Sequence, residues 1–433
     1  MRRTLLTLAV LAIVATAALL VVVWRPAIPL EGAQPAFQQT EIVQGAQLAA
    51  IGNCITCHTK PEGTPFAGGR PIETPFGTIH ATNITPDPQT GIGGWSEAAF
   101  RRAMKDGVSR DGHHLYPAFP YDHMTKMADG DIRAVYAFMM TRRPVAAETP
   151  PNDLPFPFNI RAMVAGWKLL FLDRGVVQAD ASKGADWNRG AYLVEGLGHC
   201  GACHTPRNAL GAEKRDQNYG GGESDGWIAP ALNAASPAAV PWEADRLHNY
   251  LLRGFDDRHG VAAGPMAPVV NNLQAVPDTD VRAISVYVAD IAGTATPQKQ
   301  AEAGLVLARV NDPAHGATSD RPGADIYAGA CAQCHGELGR APAIPALNLA
   351  LSSTLRMPRP DNVVRIVREG IHPEDGARGP IMPGFAPALT DEQLVSLMNF
   401  LRAHFAQRPA WNDVQGSIRR AKETPTREAR SAR

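Results

Sequence analysis

The sequence has no excess of charge of either sign. Its 433 residues include 42 basic and 42 acidic side chains, and charged residues make up only 19 % of the chain. Proteins that bind nucleic acid through its phosphates normally carry a basic excess, so we expect no nucleic-acid partner. The sequence also lacks a phosphate-binding loop, a dinucleotide-binding fingerprint and the pattern of a hydrolase triad. These absences disfavour nucleotide-dependent enzymes and hydrolases.

Long apolar runs are missing too, with one exception at the N-terminus. Residues 5–24 contain only two polar side chains, both threonine, and follow two arginines. About 20 apolar residues suffice for a helix to cross a bilayer. A cleaved signal peptide is the competing interpretation, because Ala15-Thr16-Ala17 has the small residues of a cleavage site. Since the apolar run continues to Trp24, we predict that residues 1–30 are a retained membrane anchor and that the remaining chain lies outside the cytoplasm.

Cysteine is scarce, and its arrangement is regular. The six cysteines form three pairs with the same internal spacing, and a histidine follows each pair directly: Cys54-Ile55-Thr56-Cys57-His58, Cys200-Gly201-Ala202-Cys203-His204 and Cys331-Ala332-Gln333-Cys334-His335. This spacing is typical of covalent haem attachment, in which both thiols form thioether bonds with the vinyl groups and the histidine binds the iron. We therefore predict three haem c groups, bound covalently by Cys54, Cys57, Cys200, Cys203, Cys331 and Cys334. The proximal iron ligands are then His58, His204 and His335.

Other uses of paired cysteines fit this pattern less well. A thioredoxin-like centre needs a βαβ context, which the segments around the pairs do not suggest. A structural zinc site needs four ligands, and no second pair lies close to any of the three. Disulfides would leave the three following histidines unexplained. Covalent haem attachment is the interpretation that accounts for every residue of the motif.

The motifs recur at domain-sized intervals, which predicts three tandem haem domains. Around each motif the pattern is a helix, the motif, a loop, a helix, a loop and a closing amphipathic helix. We expect an all-α fold with domains at residues 38–143, 186–292 and 323–406, called below the first, second and third repeat. The linkers are residues 144–185 and 293–322, and residues 407–433 form a flexible tail.

Methionine supplies candidates for the second axial ligand of two haems. Met266 and Met382 each lie in a loop rich in glycine and proline, at corresponding places before the closing helix of the second and third repeats. A methionine is often only a space-filling core residue. The matching positions of these two favour iron ligation instead, because a low-spin electron-transfer haem commonly has methionine or histidine as its distal ligand.

The first repeat departs from this pattern. Its corresponding loop contains Phe119, which cannot bind iron. Nearby candidates are His123, which we predict as the distal ligand of the first haem, and Met124, the alternative. His113 and His114 lie slightly upstream, and an open coordination position is the remaining possibility.

Several longer motifs carry a resemblance to a known family. They are Ala81-Thr82-Asn83-Ile84-Thr85-Pro86-Asp87, Gly91-Ile92-Gly93-Gly94-Trp95-Ser96, His114-Leu115-Tyr116-Pro117-Ala118-Phe119-Pro120-Tyr121, and Phe156-Pro157-Phe158-Asn159 with Arg161 and Trp167. Over about residues 40–405 the chain resembles the tri-haem cytochrome c subunits of membrane-bound bacterial dehydrogenases that oxidise alcohols, aldehydes, gluconate and related substrates. Phe119 followed by Tyr121-Asp122-His123 is more similar to subunits that are paired with molybdenum-containing aldehyde or N-heterocycle dehydrogenases.

The resemblance implies three class I cytochrome c-like domains after one N-terminal transmembrane helix, in the bacterial inner membrane with the haem domains in the periplasm. It also implies a separate dehydrogenase catalytic subunit, dependent on molybdenum, pyrroloquinoline quinone or flavin, with a small iron–sulfur subunit as a further candidate partner. The chain would then be a non-catalytic electron-transfer subunit that passes electrons to ubiquinone or a terminal oxidase. The alternative is a haem enzyme or sensor, peroxidase-like, that uses an open site at the first haem.

Overall fold

The computed structural model describes residues 4, 6, 7, 10, 23–32, 35–310, 321–338, 340–372 and 381–423. The chain divides into two compact units. Unit 1 comprises Met1–Ala179 and Glu195–His199, and unit 2 comprises Asp180–Val194 and Cys200–Arg433.

Unit 1 contains the first motif between two long helices and a hairpin. Its elements are α1 (Gln39–Ile51), α2 (Cys54–Cys57), β1 (Pro71–Thr74), β2 (Gly77–His80), α3 (Glu97–Asp106), α4 (Tyr121–Met124), α5 (Asp129–Met140) and α6 (Ala162–Phe171). Ser96 begins α3 by accepting a hydrogen bond from the Ala99 backbone N–H at 3.2 Å, as N-cap serines commonly do.

Unit 2 contains the second and third motifs. Its elements are α7 (Ala185–Glu195, of which the last residue belongs to unit 1), α8 (Gly201–His204), β3 (Gly222–Ser224), β4 (Trp227–Ala229), α9 (Ala244–Arg253), β5 (Phe255–Asp256), β6 (Gly260–Val261), α10 (Met266–Leu273), α11 (Asp278–Ala292), α12 (Pro297–Val310), α13 (Arg321–Ala330), α14 (Ala332–His335), α15 (Asp361–Glu369), α16 (Asp391–Ala406) and α17 (Val414–Glu423). Short 3₁₀ turns lie at Arg215–Gln217, Pro345–Leu347, Leu349–Leu351 and Thr354–Arg356.

The same helix crossing forms the core beside each motif. A glycine on the helix before the motif faces the backbone of the closing helix, and any Cβ there would clash: Gly45 with Ala134, Gly190 with Ala283, and Gly323 with Ser396. Only glycine allows the two backbones to approach this closely. Each glycine also lies against the Cβ of an aromatic residue on the closing helix, namely Phe138, Tyr287 and Phe400. The sequence therefore repeats one packing solution three times.

The all-α prediction is wrong, because the described residues include three antiparallel hairpins, β1–β2, β3–β4 and β5–β6. The β3–β4 hairpin turns at Asp225 and Gly226, which have φ angles of 49° and 74°. Asp-Gly with positive φ at both positions is the strongest short-range signal for a two-residue hairpin turn. That signal is visible in the sequence, and our helix-based prediction missed it.

The predicted N-terminal anchor also requires correction. No helix in the described part of the chain has both the length and the apolarity to cross a membrane. The longest, α16, has 16 residues, whereas a span needs about 20. Most of residues 5–24 lies outside the described residues. A single transmembrane helix, and the inner-membrane location that we derived from it, are therefore not supported.

Candidate haem sites

Each Cys-x-x-Cys-His motif forms one turn of helix after a longer helix. In all three motifs the backbone N–H of the histidine donates to the carbonyl of the first cysteine at 3.0 Å. Residues three apart on a helical turn lie on the same side. The two thiols of each motif therefore share one face, and the histidine follows directly.

The three motif histidines have the same hydrogen bond. Their Nδ1 atoms each lie 2.7 Å from a backbone carbonyl: His58 from Thr82, His204 from Pro230 and His335 from Leu347. A carbonyl can only accept, so Nδ1 carries the proton and the lone pair is on Nε2. Burial lowers the pKa of all three imidazoles and keeps them neutral. A neutral imidazole oriented by its other nitrogen is the usual form of a metal-binding histidine.

The acceptor carbonyls were not identified from the sequence, although a signal for them exists. Near each carbonyl an asparagine side chain accepts a hydrogen bond from the backbone N–H two residues later: Asn83 from Thr85, Asn233 from Ala235 and Asn348 from Ala350, at 2.9–3.0 Å. Such turns fix the backbone locally. The repeated asparagine is the residue from which these acceptor segments could have been predicted.

The cysteines do not have the properties of a reactive thiol centre. None of the six forms a disulfide. Burial, with a smaller effect of Cys57, raises the pKa of Cys54 to about 12, and burial likewise raises the pKa of Cys331 to about 11. Catalytic and redox cysteines instead have lowered pKa values. The geometry therefore fits thiols that are held for covalent attachment.

The loops that contain the predicted distal positions begin in the same way. The helix before each loop ends at a glycine with positive φ: Gly107 at 58°, Gly254 at 78° and Gly370 at 84°. In the first two loops the glycine carbonyl accepts an equivalent bond, from Leu115 at 2.8 Å and from Ala262 at 2.7 Å. An equal sequence separation leads from the three glycines to Phe119, Met266 and Met382. This shared register places Phe119 in the loop position that Met266 occupies.

Met266 is the first residue of α10 and is partly buried. Two residues earlier, Gly264 has a φ of 55°, and a Cβ there would collide with the Trp227 ring. Met382 is also partly buried, and its backbone exchanges two hydrogen bonds of 2.9 Å with Ile371. The start of the Met382 loop, residues 373–380, lies outside the described residues.

The candidates in the first repeat have different surroundings. His123 is buried on α4, and its Nδ1 lies 2.9 Å from the Glu195 carbonyl, the pairing that the motif histidines also show. Met124 is buried as well. His114 has both ring nitrogens engaged, Nε2 with the Val23 carbonyl at 2.9 Å and Nδ1 with Lys168 Nζ at 3.0 Å. His113 is exposed and pairs with Asp111.

Two buried polar groups near these loops fit a large bound group with carboxylates. Among the described residues, nothing lies within hydrogen-bond distance of the buried Tyr121 hydroxyl or of either ring nitrogen of His259. Tyr121 is fully buried two residues after Phe119, and His259 is 5 % exposed and stacks on Trp242 at 3.5 Å. A buried polar group without a partner is costly. Haem has two propionate groups that could supply one, so the donors fit this cofactor.

Comparison with known proteins agrees with this chemistry. The family model "Cytochrome c" matches residues 42–143, and "Cytochrome C oxidase, cbb3-type, subunit III" matches residues 318–401. The chain is 34 % identical to the fructose dehydrogenase cytochrome subunit of Gluconobacter japonicus, covering 88 % of this chain and 83 % of that protein. It is 36 % identical to the gluconate 2-dehydrogenase cytochrome c subunit of Pantoea cypripedii, covering 83 % and 85 % respectively.

A third relative is a component of the nicotinate dehydrogenase of Pseudomonas putida, which is 46 % identical over 88 % of this chain. The chain spans only about a third of that protein's length, 32 %. The resemblance seen in the sequence is confirmed by these three relatives, and haem c binding and electron transfer are the functions that they share with the geometry described above. The chain belongs to the family of cytochrome c electron-transfer subunits of dehydrogenase complexes.

Proposed function

We propose that the chain carries three covalent haem c groups, one at each motif. The observation that carries this proposal is the identical 2.7 Å bond from Nδ1 of His58, His204 and His335 to a backbone carbonyl. Three histidines prepared in the same way imply three irons. We also propose the domain limits given above, with one haem in each of residues 38–143, 186–292 and 323–406.

The residues of the chain hold and tune these groups. The haem iron, when bound, accepts and releases one electron. The six motif cysteines would form the thioether bonds, and His58, His204 and His335 would each present Nε2 to an iron. Met266 and Met382 would bind the second and third irons from the distal side. For the first iron we propose His123, with Met124 as the alternative.

The electron donor in this proposal is a dehydrogenase catalytic subunit. The nicotinate dehydrogenase relative favours a molybdenum-containing partner that acts on an aldehyde or N-heterocycle, with electrons passing through an iron–sulfur protein. The fructose and gluconate dehydrogenase relatives keep flavin- and quinone-dependent partners as candidates. The acceptor would be ubiquinone or a terminal oxidase.

The haem count is tested on denatured protein. We expect a mass gain of three haems per chain that survives acid, because thioether bonds are covalent. Replacing both thiols of one motif, as in Cys200→Ala with Cys203→Ala, should remove one haem, and the same double change at Cys54 and Cys57 is the matched control for position. A fully matured chain with two haems or fewer would refute the three-haem proposal.

A second candidate function rests on Phe119. A phenylalanine in the distal position of the first repeat would leave that iron open unless a neighbouring side chain binds it, and an open iron suits a peroxidase-like enzyme or a sensor. Carbon monoxide separates the two candidates. Stoichiometric binding to one haem of the reduced protein would favour the enzyme or sensor, and no binding would favour electron transfer alone.

A further inference from the structure

The β3–β4 hairpin touches the second haem site from two sides. Directly after β4, the Pro230 carbonyl accepts the 2.7 Å bond from His204. On β3, Gly222 lies so close to the Cys203 carbonyl that a Cβ would clash. Trp227, which begins β4 and is 8 % exposed, packs against Gly264 in the Met266 loop. The hairpin therefore contacts both the proximal and the distal segments of this site.

The outer edge of the same hairpin is bound by α15 of the third repeat. The Asn362 side chain accepts a hydrogen bond from the Ile228 backbone N–H at 2.9 Å and donates one to the Ile228 carbonyl at 2.8 Å. Arg365 Nε donates to the Gly226 carbonyl at 3.0 Å. Asn362 and Arg365 are 7 % and 2 % exposed. We call these three bonds the α15 clamp.

The other face of α15 belongs to the core of the third repeat. Val364 is fully buried in the cluster that contains Tyr327 and Phe400. The helix ends at Gly370, and the next residue, Ile371, exchanges two backbone bonds with Met382. One helix thus leads from the α15 clamp to the distal loop of the third site.

The equivalent hairpin of the first repeat is covered differently. Thr78 on β2 exchanges backbone hydrogen bonds of 2.8 and 2.9 Å with Asp153, and the Asn152 side chain accepts from the His80 N–H at 3.0 Å. These two residues follow α5 in the same unit. An unpaired strand edge needs a cover. In the second repeat the cover comes from the neighbouring haem domain, which makes the contact a junction between two sites.

We infer that Asn362 is a positioning residue for electron transfer between the second and third haems, and that the β3–β4 hairpin is the bridge. In the transfer one electron leaves a ferrous iron, which becomes ferric, and reduces the other iron from ferric to ferrous. No bond forms or breaks and no proton moves. Asn362 acts by holding the segment between His204 and Trp227 against α15, which fixes the separation of the two sites. This inference rests on the proposed haem at both motifs.

The test uses the full-length, haem-loaded chain. Asn362→Ala removes both bonds to Ile228, whereas Asn362→Asp keeps the oxygen that accepts from the N–H. Asn208→Ala is the control, because Asn208 also accepts two backbone bonds, from Leu210 and Ala212, but within its own loop. After rapid photoreduction we expect electrons to redistribute between haems several-fold more slowly in Asn362→Ala, at an intermediate rate in Asn362→Asp, and at the unchanged rate in Asn208→Ala.

Two further measurements make the result decisive. Hydrogen exchange at the Ile228 amide should accelerate in Asn362→Ala, which shows that the α15 clamp is broken, and the reduction potentials should stay unchanged. Broken protection with an unaltered transfer rate would overturn the inference. A chain with fewer than three haems would instead overturn the proposed function, so the two failures are distinguishable.

Discussion

At the scale of single residues, three backbone carbonyls determine what the motif histidines can do. Thr82, Pro230 and Leu347 each accept the Nδ1 proton, so the lone pair of each imidazole is on Nε2. Burial lowers the pKa of the same imidazoles, which keeps them neutral near pH 7. Tautomer and charge state therefore both suit an iron ligand.

The first residue-scale prediction concerns the distal ligand of the first haem. If His123 binds the iron, near-infrared magnetic circular dichroism of the ferric protein should show one His/His and two His/Met signatures. His123→Ala should abolish the His/His signature, and that haem should have the lowest potential of the three, because a thioether ligand raises the potential. His113→Ala, a change to an exposed histidine of the same unit, is the control. Three His/Met signatures would contradict the prediction and favour Met124.

The second residue-scale prediction concerns Met266 and Met382. Replacing either with alanine should open one reduced haem to carbon monoxide and lower its potential, since a thioether favours ferrous iron. Met163→Ala is the control, because Met163 is 50 % exposed and lies outside all three loops. Redox titration and carbon monoxide difference spectra provide the measurements. An unchanged spectrum and potential in Met266→Ala would identify that side chain as core packing.

At the scale of elements, short hairpins and one late helix complete the haem domains. The helix α17 lies in the part of the chain that we expected to be a flexible tail, and its Ile418 is 1 % exposed. Arg420 on α17 donates to Asp361 on α15 at 2.8 Å, and Ser417 donates to the same carboxylate at 3.1 Å. Basic residues suggested a solvated end, but this side of the helix has a buried acceptor.

The element-scale prediction follows from the pKa of Asp361. Burial alone would raise that pKa, but hydrogen bonds from Arg420 and Arg359 outweigh burial and lower it. The carboxylate therefore stabilises the fold above the ordinary aspartate pKa, and this contribution is lost as the pH falls through the lowered value. Asp361→Asn should reduce the free energy of unfolding by about 1–3 kcal/mol at pH 7. The difference from wild type should shrink at pH 3.

Chemical denaturation at both pH values measures this effect. Asp391→Asn is the matched control, because Asp391 also pairs with α17, through Lys422 at 2.7 Å, but in an exposed position. An exposed pair contributes less than about 1 kcal/mol. Equal losses in the two variants would show that burial of Asp361 adds nothing to the docking of α17.

At the scale of the whole molecule, one haem-domain plan recurs with balanced charge. The glycine crossings at Gly45, Gly190 and Gly323 are the same in every repeat, so the core is built three times by one rule. The 42 basic and 42 acidic residues cancel, which leaves no net charge to attract a partner over long distances.

The whole-molecule prediction concerns assembly with the catalytic subunit. Long-range steering by net charge makes association rates fall steeply with added salt. Because this chain has no net charge, we expect its association rate to change less than about tenfold between low and physiological ionic strength. Stopped-flow measurement of electron transfer between the separate subunits tests this expectation. A steep decrease with salt would reveal a strongly charged local patch at the interface.

The sequence by itself determined the local chemistry of this protein. A Cys-x-x-Cys-His motif is one turn of helix, so its function is encoded within five residues and can be read without the fold. The family and its electron-transfer function followed from such motifs and were confirmed by the relatives. The Asp-Gly turn of the β3–β4 hairpin is equally local, and it was available to sequence reasoning even though the all-α prediction overlooked it.

Only the tertiary structure decided which distant groups meet. The motif histidines find their acceptor carbonyls 12–26 residues away, and Asn362 binds Ile228 across 134 residues of chain. Hydrogen bonds of this kind depend on how helices and hairpins pack, which no local pattern encodes. For the same reason α17 found a buried partner in Asp361 instead of solvent. The residues predicted to bind haem were therefore readable from the sequence, whereas the contacts that orient them required the fold.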